Sequence, residues 1–191
     1  MCTHDPAQGR DFAGLRKEGK VPCLPRHAVF DDHDSAFSAG RRHAITHRDH
    51  AMVLRMINVR MERQVLLTSA SSLDLWAILN ESVLQHTIGN AKIMLSQFEH
   101  LLKMAELKNI TIQVLPFDAG TYPAVGAFTI LGFPDQEDPD MVYHDGLTDA
   151  VYLERPEEIA LYAKAFDNLR ALSLSPQRSS DLIRRAAQGL Y

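Results

Sequence analysis

Leu73–Asn80 (LDLWAILN) is an apolar run too short for an ordinary core helix. A serine-rich stretch precedes it and Glu81 follows, so it reads as a buried strand, decided by length rather than periodicity. Asn90 then caps a helix expected to run to about Glu106. Its core face is Met94, Phe98, Leu101 and Ala105, widened by Leu95 and Leu102. Ile110, Ile112 and Val114 alternate with Thr111 and Gln113 until Pro116 stops the strand. Strand, crossover helix, strand favours a parallel pair, and such a pair needs helices against it.

The segments after Pro116 point to antiparallel neighbours. Phe128 and Ile130 alternate with Thr129 and Leu131, and a charged turn spans 134–140. Met141–Asp145 and Ala150–Leu153 flank Gly146-Leu147-Thr148-Asp149, a hairpin connection. Pro156, followed by Glu157 and Glu158, opens a helix with Ile159, Tyr162, Phe166, Leu169 and Leu172 on its core face. Ser175-Pro176 starts a terminal helix through about Ala187. The expected class is α+β: a mixed, largely antiparallel sheet of about five strands packed by helices.

The amino-terminal quarter differs. Residues 1–47 hold five of the nine histidines, both cysteines, and seven basic against six acidic side chains. Glycines and prolines interrupt them, and their apolar residues follow neither a helical nor a strand period. They read as an irregular, mobile leader, with the domain expected at 48–191. Regular patterning begins with 51–67, a Gly- and Pro-free helical stretch in which Val53, Met56, Ile57 and Met61 form an apolar stripe.

Charge and composition exclude several classes. Net charge is −4, and residues 48–191 carry 18 acidic against 13 basic groups, which argues against a dedicated nucleic-acid binder. Two cysteines make no disulfide scaffold, and no apolar stretch approaches a membrane span or a signal-peptide core. The expected location is cytoplasmic.

Five segments in order carry a resemblance: RMERQVLL (60–67), LDLWAILNESVLQHTIGN (73–90), QVLPFDAGTYPAVGAFTILGFPD (113–135), VYHDG (142–146) and VYLERPEEIALYAKAFDNLRALSLSP (151–176). Together they resemble an uncharacterised family, the effector domain that follows the helix-turn-helix in many actinobacterial XRE-type transcriptional regulators. Such relatives usually carry, upstream, the helix-turn-helix and a segment similar to "vPGLLQT-x-x-YA"; residues 1–47 match neither, which implies a truncated or remodelled member. Asp145 stands where the family pattern more often has Glu.

Three constellations are candidate sites. Arg60, Arg63 and Gln64 share a helical face continuous with the apolar stripe. They suit a carboxylate or other anion, or a structural pairing with Glu81 or Asp145. Glu81, at a strand end, can face a crevice or serve as a structural partner. The loop 115–126, with Phe117 and Tyr122 among two glycines and two prolines, has the mixture expected of a pocket rim, or of a connection covering the core edge. His43, His47 and His50 have helical metal-ligand spacing but no companion ligands, so no metal and no cofactor is expected. His86, His100 and His144 stand isolated, with no role expected.

The leading functional expectation, implied by the resemblance, is a non-enzymatic sensor or interaction domain of a transcriptional regulator that binds a small effector or a protein partner. Expected partners are a second copy, a full-length regulator in a heterodimer, or a small protein encoded nearby; no direct DNA binding and no membrane association are expected. The alternative is a transferase-like or toxin-like enzyme using Glu81 with the Arg60/Arg63 face.

Overall fold

The computed structural model describes the side chains of residues 64–69, 72–122, 126–133, 139–144 and 150–189, with the backbone alone of 24–30 and 145. The described elements are strands β1 (Leu24–Phe30), β2 (Leu75–Asn80), β3 (Ile110–Leu115), β4 (Phe128–Gly132), β5 (Met141–Asp145) and β6 (Ala150–Leu153). With them are helices α1 (Ser82–Gln85), α2 (Ala91–Ala105), α3 (Pro156–Leu172) and α4 (Pro176–Gln188). From β2 onward these bounds lie within two residues of those read from the sequence; the four-residue α1 was not anticipated.

The class is α+β. One six-stranded sheet has the order β3-β2-β1-β4-β5-β6. β3, β2 and β1 are mutually parallel, whereas β4, β5 and β6 add successively antiparallel. The expected single sheet of about five strands needs correction here. The five strands legible in the sequence fall into a parallel pair, β2–β3, and an antiparallel triple, β4–β6. What joins them is β1, pairing Phe30 with Leu79 on one side and Val29 with Phe128 on the other. This strand lies inside the segment expected to be an irregular leader. Its sequence, LPRHAVF, carries Pro25 and no alternation, so pairing on both edges, not local pattern, makes it a strand.

Alternation divides the core between the two faces. Leu75, Ala77 and Leu79 of β2, with Ile110, Ile112 and Val114 of β3, meet Met94 and Phe98 of α2 and Ile183 and Ala187 of α4. On the other face Ile78, Leu115, Phe128, Ile130 and Val142 meet Phe166 and Leu169 of α3. Helix α2 starts where expected: the Asn90 side chain accepts the Ile93 N–H at 3.0 Å. At the amino end of β3, the Asn109 amide donates to the carbonyls of Leu67 (3.0 Å) and Leu73 (2.7 Å), fastening the incoming chain. The 51–67 helix is described only from Gln64, where 64–68 are helical.

The β3 edge is sealed by the chain between α3 and α4. Leu174 N–H donates to Val114 O at 2.9 Å, and Val114 N–H donates to the hydroxyl of fully buried Ser179 at 2.9 Å. Gln113, also buried, donates to Leu174 O at 2.8 Å and accepts from the Trp76 indole at 2.7 Å. At Val114 the edge-facing N–H and C=O are thereby both satisfied within the molecule.

Candidate ligand site at the carboxyl edge of the sheet

The topology gathers strand ends. Because β1, β2 and β3 are parallel, their carboxyl ends share one edge; antiparallel β4 begins there, and β5 ends there. The connection from Leu115 to Phe128 must therefore cross the ends of β2 and β1, three strand spacings or roughly 14 Å. Crevices at the carboxyl ends of parallel strands are where open sheets hold ligands.

Asn80 organises the β2 end. Its Oδ1 accepts from the Ser82 N–H (2.9 Å) and the Ser82 hydroxyl (2.5 Å), turning the chain into α1. Its Nδ2 donates to the Tyr122 hydroxyl at 3.3 Å, drawing the crossing loop onto the strand end. Glu81 continues the β2–β3 ladder, its N–H donating to Leu115 O at 2.9 Å, while its carboxylate accepts the Phe117 N–H at 2.8 Å. The loop turns at Gly120, whose φ of +83° lies in the left-handed region that favours glycine. Phe117 is 60% exposed, whereas Tyr122 packs on the core beside α3.

Farther along the same edge, His144 of β5 lies 5.0 Å from the Tyr162 ring and 6.2 Å from Phe128, with those two rings 5.1 Å apart. Its Nδ1 is 3.1 Å from the Ala127 carbonyl. A carbonyl only accepts, so this contact places a proton on Nδ1, and in the tautomer with its single proton there Nε2 is an acceptor. That Nε2 is buried with no hydrogen-bond partner, and it is the one such side-chain atom among the described residues. Burying an unsatisfied acceptor costs about 1–3 kcal/mol, which a donor arriving on a ligand would recover.

The expected site residues thus fare differently. Glu81, Phe117 and Tyr122 come together at this edge. Gln64 does not: it is exposed, one helical turn from Leu67, which Asn109 holds at the opposite end of β3. Gln64 thus faces solvent, away from the carboxyl edge. Asp145 ends β5 on the site edge, paired by its backbone with Ala150; its side chain lies outside the described residues. So do Arg60, Arg63, His43, His47 and His50, and with them any pairing of the arginines to Glu81. Asn80 and His144 were missed. The available signal for His144 was its place two residues after Val142, on the same core-facing side of a strand. Among the described residues no three His, Cys, Asp or Glu side chains gather as a metal site, and no helix is long and apolar enough to cross a membrane.

The architecture is an α+β domain whose mixed sheet collects polar and aromatic side chains at one edge. The family model described as "Domain of unknown function (DUF5753)" matches residues 25–185, and the chain belongs to that family. The match opens within β1, so the family's domain begins well before the expected boundary at residue 48. No curated protein and no solved structure matches the chain.

Proposed function

We propose that this chain is a non-enzymatic sensor domain of the kind that follows the helix-turn-helix in XRE-type transcriptional regulators. A small effector would occupy the carboxyl edge of the sheet, between the crossing loop and α3. The observation that carries this reading is the orphaned Nε2 of His144, an acceptor buried in an aromatic setting. An effector with a hydroxyl or amine donor and an apolar body suits it, and Tyr122, in the same core cluster as Phe128 and Tyr162, supplies a further contact. In this role the domain works in the cytoplasm, dimerising with full-length regulators or titrating their protein partner rather than reading DNA itself.

The enzyme reading loses support from Glu81, whose carboxylate accepts the Phe117 N–H and so serves to tie the ends of β2 and β3. The test is ligand capture. The full chain is passed through a total small-metabolite extract, re-purified by gel filtration and examined by non-denaturing mass spectrometry. A discrete bound mass, lost in His144→Phe, supports the proposal; no retained mass, or one retained equally by His144→Phe, refutes it.

A further inference from the structure

Five arginines have described side chains, and three are neutralised by a carboxylate one helical turn away: Arg155 by Glu158, Arg170 by Asp167 and Arg184 by Asp181. Arg178 and Arg185 have no ion-pair partner among the described residues. Both line one open groove of about 380 Å³ along α4, with Leu174, Asp181, Arg184 and Gln188. Seven residues apart, they fall on one helical face, two turns or roughly 10 Å from each other. Arg178 also occupies the first turn of α4, which contains no acidic residue. A cation there meets the positive end of the helix dipole and is disfavoured as a purely structural choice.

We propose that this groove docks an acidic segment of a protein partner, with carboxylates meeting Arg178 and Arg185 and an apolar side chain resting on Leu174. Asp181 in the same groove is paired with Arg184, which leaves Arg178 and Arg185 as the uncompensated charges; a long nucleic-acid strand would also run over a chain of net charge −4, which a short acidic segment need not do. Guanidinium forks are suited to bidentate carboxylate recognition. The proposal rests on the reading of the chain as an interaction domain, but it concerns another surface from the carboxyl edge.

Fluorescence anisotropy with a labelled oligoglutamate peptide, at low ionic strength and on the full chain, tests it. The expected result is saturable binding, weakened roughly tenfold or more by Arg178→Glu with Arg185→Glu, and unchanged by Arg155→Glu just before α3. The milder pair Arg178→Gln and Arg185→Gln gives a partial loss, and circular dichroism checks that each variant is folded. Absence of saturable binding, an equal loss in Arg155→Glu, or tighter binding of labelled oligothymidylate overturns the proposal. Effector capture measured separately on His144→Phe is independent of these arginines, so failure here leaves the carboxyl-edge reading standing, and the reverse holds.

Discussion

The hydroxyl of Ser179 accepts the backbone N–H of Val114 at 2.9 Å, and neither residue exposes measurable surface. This contact links the first turns of α4 to the outer strand of the sheet. Ser179→Ala keeps the packing but strands a buried amide donor. The expected loss is about 1–3 kcal/mol in urea melts with an unchanged m-value.

Strand β1 gives a second expectation. Its backbone pairs on both edges, so a proline within it removes a ladder hydrogen bond on one side or the other. Ala28→Pro is expected to cost about 1–3 kcal/mol, from the ladder partner it leaves unpaired, read from urea midpoints. Deletion of residues 1–47 should do worse, leaving the parallel pair and the antiparallel triple with open edges. The truncated chain is expected to lose its cooperative thermal transition by calorimetry, whereas a freely dispensable leader would leave that transition intact.

Asn90→Ala removes the acceptor for the Ile93 N–H at the start of α2. The expected cost is about 1 kcal/mol, read from denaturant midpoints. Asn90→Asp should preserve most of the stability, because it keeps the capping oxygen.

At the α4 groove, stability and binding should move in opposite directions. Arg178→Glu places a carboxylate in the first turn, where the helix dipole favours it, and is expected to stabilise the fold by about 0.3–1 kcal/mol at low salt. The same change weakens acidic-peptide binding. Thermal melts beside anisotropy titrations check the pair of outcomes.

The sequence made most of this architecture readable, for identifiable reasons. Asn90, Pro156 and Ser175-Pro176 announce helix starts through local chemistry, and the alternation of Ile110, Ile112 and Val114 announces a strand. β1 was hidden because nothing local marks it; its conformation comes from β2 and β4. The same holds at the site. Glu81, Phe117 and Tyr122 stood out through position and loop composition, while the Asn80–Tyr122 contact and the solitary state of His144 Nε2 depend on how distant segments meet.

His144 carries the central claim, that the carboxyl edge is a binding site and not a structural cluster. In His144→Phe the hydrogen bond to Ala127 is lost, but the buried orphan acceptor disappears with it. These effects oppose each other, so stability is expected to stay within about 1 kcal/mol of the parent or to rise. The most direct measurement is non-denaturing mass spectrometry of parent and His144→Phe chains after exposure to the same metabolite extract, each first shown by urea melt to be folded. A discrete bound mass is expected on the parent and none on the folded variant. Identical spectra for the two folded chains, with or without a bound mass, would contradict it.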